Sequence, residues 1–458
     1  MKKKKLSFVS IILLTINAII GTGIFLSPGS VTMLAGDKAP LIYLVAAVLA
    51  IVLAVSFASA AKYVKDSGAA YAYAKAAFGD NIGFYVGITR FVSGSIAWGV
   101  MATGAVKTVL SIYGIDSSHF GYITIGFIVL MLVLLLINTL GIRIVEIINN
   151  VSTLGKLAAL LVFIIAGGII VITTGENHYS DVMSVVNNGQ PLVPPMNLSV
   201  FIAATLAAFY AFTGFESVAT GSKDMENPEK NLPRALPIGI LIIAFIYMGI
   251  VCIAMLLNSK MLVETKEVVV LASLFNNPII RNIILYGAFV SMFGINVAAS
   301  FSTPRILEAL AAKRQLPSVF AYRTKLDCPL VAMIVTILFA VIIPLSFRYD
   351  MANIMILSSL SRFIQFLVVP LSVIVFYFNL NKEEVLSATK NFATDVIIPV
   401  AAFIFSLFLV IKFDWVSQFS IVSTDGTSVL NIAAIVAVAI SYIILPVVLL
   451  IWKNTRKA

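Results

Sequence analysis

The fold class expected from the sequence is an all-α polytopic membrane protein with twelve transmembrane helices, and three observations point to it. Of the 458 residues 60% are hydrophobic and 11% charged, with a mean hydropathy of +1.04, whereas a soluble domain has an apolar share of about 45–50%. The apolar residues gather into windows of about 20, the length that crosses a bilayer as a helix. The basic residues alternate by loop. With the N-terminus inside, twenty of the 31 Lys and Arg fall in cytoplasmic segments and six in outer loops, the bias that orients membrane proteins.

In chain order the spans are 8–33, 41–62, 82–110, 121–141, 148–173, 198–221, 235–257, 282–311, 329–347, 352–378, 395–412 and 429–452. Residues 1–5, Met-Lys-Lys-Lys-Lys, imitate the basic start of a signal peptide. No small-residue cleavage site follows, so they are read as the flank of an uncleaved anchor. Between spans 2 and 3, residues 64–79 alternate aromatic and small side chains and suggest a short amphipathic helix at the inner surface. Residues 258–281 contain KEVVVLASLF, which reads as an outer-loop helix able to act as a lid. Cys252 and Cys328 lie far apart, and there are two histidines. Neither a disulfide framework nor a metal site is indicated, and no cofactor is expected. The net charge of +10 follows membrane topology and does not call for nucleic acid.

Span 1 carries Gly21-Thr22-Gly23 inside an apolar run, TINAIIGTGIFLSPG. Glycine weakens a helix by roughly 1 kcal/mol relative to alanine, so the helix is expected to break there. Unwound backbone at membrane depth is tolerated only where it is buried in protein or lines a watery cavity. Span 6 repeats the pattern at Tyr210-Ala211-Phe212-Thr213-Gly214-Phe215-Glu216. Broken helices in corresponding positions of two halves mark the site of transporters built from inverted repeats. The halves are then residues 1–174 (spans 1–5) and 197–378 (spans 6–10), with spans 11 and 12 at 395–452. The same glycines would also serve close helix packing.

Four motifs, two of them containing these breaks, belong together. Gly21-Thr22-Gly23-Ile24-Phe25 with Pro28-Gly29, the run GFESVATGSKDMENPEKNLPRAL from Gly214, SGAAYAYAKAAFG from Ser67, and Thr303-Pro304-Arg305-Ile306-Leu307 through Leu316-Pro317 together resemble the amino-acid permeases of the amino acid–polyamine–organocation (APC) superfamily. The likeness covers spans 1–8 in order. Ala69 stands where a second glycine is usual, and Ala312-Lys313-Arg314 replaces Arg-Asp-Gly. The resemblance implies a single transporter domain with a LeuT-like 5+5 inverted repeat, both termini cytoplasmic, in the cytoplasmic (plasma) membrane.

A zwitterionic amino acid needs donors for its carboxylate and acceptors for its ammonium. The half-helix starting at Thr22, Gly23 and Ile24 offers free N–H groups and a positive dipole end. Carbonyls ending the preceding half, and those from Tyr210 to Thr213, can accept. The resemblance places the carboxylate at Thr22 and Gly23, the amine at the carbonyls of Ile19, Tyr210 and Thr213, and a gating aromatic at Tyr210. Trp98, near Ser93 and Ser95, is a candidate for the side-chain pocket. Ionisable groups inside spans are costly and point to function. Lys156 resembles the span-5 lysine that stands where related sodium-coupled carriers hold sodium, bridging spans 1 and 8; a lysine snorkelling to the interface is the alternative. Glu216 is read either as a carrier of the coupling proton, its pKa raised by burial, or as a cap on the second half-helix. Arg90 and Arg362 are expected to pair with Glu216 or Glu308, or to meet a substrate carboxylate.

The expected function is a secondary amino-acid transporter working by alternating access, proton-coupled and sodium-independent, with exchange of amino acids or transport of amines and polyamines as alternatives. Its partners would be an amino acid, membrane lipids and protons. A membrane enzyme would need acid and base groups around a shared site, and the spans hold no histidine and few carboxylates. A channel or sensor on the same fold would be expected to bring a signalling domain. Nucleotide-driven transport is disfavoured because the sequence has no G-x-x-x-x-G-K-[ST] loop.

Overall fold

The computed structural model describes the chain except residues 1–5, 65–68, 140–141, 176, 188, 221–224, 265–268, 325–327, 423–427 and 456–458. The basic run at 1–5, the Ser67-Gly68 start of one motif and residues 221–224 of another therefore lie outside the described residues. The rest is mainly helical, with connecting loops and two short two-stranded ribbons, 186–187 with 190–191 and 420–422 with 428–430. Among the described residues nine helical stretches are long and apolar enough to cross a membrane, and three shorter apolar helices lie at Phe8–Ile19, Leu198–Phe212 and Leu330–Ser346.

The first span is α1 (Phe8–Ile19) and α2 (Gly23–Ala35), separated at 20–22. Then follow α3 (Ala39–Tyr63), α4 (Ala70–Phe78), α5 (Asp80–Ile112), α6 (Phe120–Thr139) and α7 (Ile142–Thr174). The sixth span is again divided, into α8 (Leu198–Phe209), a 3-10 turn at Tyr210–Phe212, and α9 (Phe215–Thr220). Next come α10 (Pro228–Asn258), α11 (Met261–Glu264), α12 (Val270–Ser273), α13 (Pro278–Ser302), α14 (Pro304–Ala312), α15 (Leu330–Ser346), α16 (Met351–Leu360) and α17 (Phe363–Tyr377). Helix α18 (Ile398–Lys412) follows a π-helical turn, and α19 (Trp415–Gln418), α20 (Ile432–Ala439) and α21 (Leu445–Thr455) complete the chain.

Burial divides these helices into two populations. The stretches Gly23–Tyr63, Asp80–Ile112 and Met351–Tyr377 are mostly buried, whereas Phe120–Thr139, Asn150–Thr174, Ala393–Lys412 and Ile432–Thr455 are mostly exposed although they are just as apolar. Leu154, Leu161, Ile165, Ile169 and Ile172 on α7 all face outward. A continuous apolar face of this extent fits lipid and not water. Inside this ring, α1 packs on α10, α2 on α8, α3 on α10, and α13 on both α7 and α5.

The loops sort into two ends by their hydrogen bonds. At one end the Glu226 amide donates to the Leu6 carbonyl, the Leu386 amide to the Tyr63 carbonyl, and the Lys382 amide to the Ala76 carbonyl. Lys62 and the Tyr63 hydroxyl hold the buried Asp395 at 2.6 and 2.9 Å, and Lys453 pairs with Asp80 at 2.7 Å. At the other end the Tyr179 hydroxyl donates to the Asp37 carbonyl, Ser259 joins His178 and Val182, and Asn431 donates to the Ser346 carbonyl. This is the same partition that the charge bias makes between inner and outer loops.

Three local expectations need correcting. Helix α4 does not lie on the surface: every residue from Ala70 to Tyr73 is buried, and Tyr71 donates to Gln315 at 2.9 Å. Small alanines let it wedge against α5 and α17. The segment Pro228–Arg234 is not loop but the first two turns of α10, since proline at the first helical position loses no hydrogen bond. The outer loop forms two short turns, α11 and α12, whose Leu262 and Val270 pack over Gly29 of α2. Residues 265–268 of its expected helix lie outside the described residues.

Candidate functional site

The break in the first span follows from local hydrogen bonding. Helix α1 ends with the Ile20 amide bonded to the Ile16 carbonyl, and α2 begins with the Phe25 and Leu26 amides bonded to the Thr22 carbonyl. The opening amides at Gly23 and Ile24 have no carbonyl one turn back to receive them, as at any helix start. Thr22 does not cap them with its side chain. Its side chain borders the same cavity as that of Tyr210. Donors and a positive dipole end are thus left open at mid-chain depth.

The sixth-span break is closed by its own side chains. The Tyr210 carbonyl accepts from the Thr213 hydroxyl at 2.8 Å and the Thr213 amide at 3.3 Å. Gly214 sits at φ +118, a conformation other residues rarely adopt. Its amide donates to Glu216 Oε2 at 2.9 Å, and its carbonyl accepts from Ser217. Glu216 Oε1 forms an ion pair with Arg362 Nη1, both side chains being largely buried.

The two breaks lie across each other. A Cβ added to Gly23 would fall 2.4 Å from Ala211 Cα, and one on Gly214 would fall 2.5 Å from the Ala18 carbonyl oxygen. Both glycines therefore have a packing role: backbone meets backbone at this crossing. Between the two lies a cavity of about 210 Å³ bordered by Ile19, Thr22, Gly23, Tyr210, Thr213 and Arg362. Since one water occupies about 30 Å³ of liquid, the space suits a small molecule and not a bulky one.

Five of the sequence-derived residues, Ile19, Thr22, Gly23, Tyr210 and Thr213, thus meet at one cavity. The others fall elsewhere. Ile24 is fully buried and does not border the cavity, because it points away from the break into the core. The Tyr210 carbonyl, expected to accept an ammonium, has both lone-pair directions engaged by Thr213, which leaves the carbonyls of Ile19 and Thr213 for that purpose. Trp98 is fully buried in a separate cluster with Phe127, Met333 and Tyr349; the cavity wall on this helix is Ala97 and Met101.

Lys156 stands just behind the cavity. Its ammonium donates to the Asn17 carbonyl of α1 at 3.0 Å, and the residue as a whole is 6% exposed, too enclosed to be snorkelling. Ser152 beside it donates to the Ser291 carbonyl of α13. Lys156, Ser152, Asn17, Ser291 and Ile295 border one small cavity, so the lysine lies between the first and eighth spans. Arg362, expected to pair with Glu216 or Glu308 or to meet a substrate carboxylate, pairs with Glu216. It caps a kink between α16 and α17, where the Arg362 amide bonds three residues back to the Ser359 carbonyl. It closes the polar run Ser358-Ser359-Leu360-Ser361-Arg362 inside an apolar span.

A lipid-facing helical ring around a small cavity, bounded by two interrupted helices with open backbone donors, is the construction of a membrane transport protein. Comparison with known sequences agrees. The amino acid permease family profile matches residues 6–440, and the chain belongs to that family, within the APC superfamily. An uncharacterised transporter of Mycobacterium tuberculosis is 39% identical over 454 residues, covering 96% of this chain and 93% of that protein. The serine/threonine exchanger SteT of Bacillus subtilis is 28% identical over 69% of this chain and 70% of its own length. The branched-chain amino acid permease BcaP of the same organism is 26% identical over 91% and 89%.

Proposed function

We propose that the protein is a sodium-independent amino-acid carrier of the plasma membrane that works by alternating access, with twelve crossings in a LeuT-like arrangement of two inverted five-helix repeats and both termini in the cytoplasm. The observation that carries this reading is the cavity shared by the two breaks. The substrate carboxylate would accept from the open amides at Thr22 and Gly23, and its ammonium would donate to the carbonyls of Ile19 and Thr213. Tyr210, which borders the cavity with Thr22, is placed to close over the substrate when the two breaks move together. Lys156 supports sodium independence, since its ammonium puts a fixed positive charge between the first and eighth spans. A cation site there would meet direct repulsion.

Exchange of one amino acid for another is favoured over proton-coupled uptake by the surroundings of Glu216. Both its oxygens are engaged, one by Arg362 and one by the Gly214 amide. A coupling proton would have to displace one of these partners before this carboxyl could carry it, whereas exchange needs no such step. The test uses purified protein in liposomes, one labelled amino acid inside and unlabelled amino acids outside, with and without sodium and an imposed pH gradient. Counterflow that ignores both gradients is the expected result. Accumulation driven by the pH gradient would show proton coupling, and absence of any amino-acid flux would refute the carrier.

A further inference from the structure

Building on the carrier reading above, we propose that the small cavity behind the first break binds a monovalent inorganic anion such as chloride, held by the Lys156 ammonium and the Ser291 hydroxyl, and that this ion supports exchange. The cavity has a volume of about 200 Å³ and shares Ala18, Gly21, Ile295 and Ala298 with the central one. The other described residues that border it are Asn17, Ser152, Lys156 and Ser291, and no carboxylate is among them.

Hydrogen bonding around this cavity leaves donors open. The Asn17 carbonyl accepts from Lys156 at 3.0 Å, and the Ser291 carbonyl accepts from Ser152 at 3.2 Å. A lysine ammonium carries three N–H donors, and among the described residues the Asn17 carbonyl is the acceptor for Lys156. Ser291 is 1% exposed, and its hydroxyl has no hydrogen-bond partner. Buried donors without acceptors are unfavourable. A ligand that serves both the ammonium and this hydroxyl must therefore accept hydrogen bonds.

Charge separates an anion from a neutral acceptor such as water. Among the described residues no carboxylate pairs with Lys156 or acts on it from a distance. Burying an ion without a countercharge costs far more than burying a neutral polar group. Water would fill the open N–H positions and leave that cost in place, whereas a bound anion removes it. A lysine that had shed its proton would offer a lone pair to the Ser291 hydroxyl, and that bond is not made. One positive charge matches one negative, so a monovalent ion fits better than a sulfate. Since a water takes about 30 Å³ of liquid, the cavity has room for a halide with part of its hydration. The same ammonium holds the Asn17 carbonyl of α1, so an ion on its remaining N–H groups would fix the α1 side of the first break where the substrate binds.

The test replaces gluconate, a bulky organic anion, by chloride or bromide at constant ionic strength. Thermal unfolding of the detergent-solubilised protein reads binding, and amino-acid counterflow in liposomes reads transport. Both halides should raise the melting temperature of the unmodified protein saturably, and exchange should be severalfold faster in chloride than in gluconate. Ser291→Ala, which keeps the lysine, should weaken the apparent chloride affinity by about tenfold, the size of one hydrogen bond to a charged group. Lys156→Gln should abolish the halide response. A melting temperature indifferent to halide in the unmodified protein would overturn the anion site and leave the carrier standing. Halide stabilisation without amino-acid flux in either salt would overturn the carrier and keep the site. Halide stabilisation with equal exchange in both salts would overturn the ion's part in transport. A halide response undiminished in both variants would overturn the assignment to Lys156 and Ser291, and if Lys156→Gln does not fold, Ser291→Ala decides.

Discussion

The two helix breaks differ in what satisfies them. At the first, between α1 and α2, no side chain caps the opening amides and no charged group of that segment stands beside them. At the second, between α8 and α9, Thr213, Ser217 and Glu216 bond back to the exposed backbone within a few residues, and Arg362 anchors the carboxylate from α17. A break that is already satisfied by its own side chains has little left to offer a ligand. In the carrier reading proposed above, the first break therefore supplies the open donors, and the second, held by its own side chains, is the frame that contributes the Thr213 carbonyl. The two are kept in register by Gly23 against Ala211 and Gly214 against Ala18.

The strongest way to break this comparison is to remove one member of the ion pair that anchors the frame. Glu216→Ala or Arg362→Ala alone leaves the partner charge buried, for which about 3–5 kcal/mol is typical. Each single variant should lose most of its folded yield in size-exclusion chromatography, and the paired Gln substitutions should recover it. Single variants as stable as the parent would show that the pair is not part of the frame.

Next in size is the crossing itself. Gly23→Val places a branched side chain where the Ala211 backbone lies at 2.4 Å from a bare Cβ, so the breaks must separate; overpacking of this kind costs about 1–3 kcal/mol or more. Substrate binding should be lost and the melting temperature lowered. Gly21→Ala, whose Cβ would meet only the end of the Ile295 side chain at 2.9 Å, should melt close to the parent and bind weakly because it narrows the cavity. Equal effects of the two substitutions would contradict the distinction between packing and lining glycines.

Lys156→Ala sharpens the comparison from behind the first break, since it removes the donor to the Asn17 carbonyl. Exchange should fall by about tenfold, equivalent to about 1.4 kcal/mol, while replacing external sodium by choline should leave the parent unaffected. A sodium requirement in the parent would end this reading of the lysine.

The smallest expected effect is that of Tyr210→Phe. It deletes one hydroxyl at the cavity wall, and a hydrogen bond from that hydroxyl to a substrate would be worth about 0.5–1.5 kcal/mol, so the apparent substrate affinity should drop severalfold with little change in melting temperature. A loss confined to stability would assign the hydroxyl to the frame.

The membrane class, the basic loops and both breaks were legible in the sequence because they depend on local chemistry: the length of an apolar run, glycine inside it, lysine beside it. The grouping of Ile19, Thr22, Gly23, Tyr210 and Thr213 was also readable, since each belongs to one of the two breaks. What only the tertiary structure decided depends on which atoms of distant segments meet. Glycine at 23 looks the same in a sequence whether it admits a ligand or the Ala211 backbone, and only the crossing shows the second. The Tyr210 carbonyl is an open acceptor on paper and a doubly engaged one in the fold. The partner of Arg362 lies 146 residues away, and a kink between α16 and α17 that no glycine or proline announces brings it to the cavity. Charge compensation across such distances leaves no periodic trace along the chain, because it is set by the packing of α17 against its neighbours.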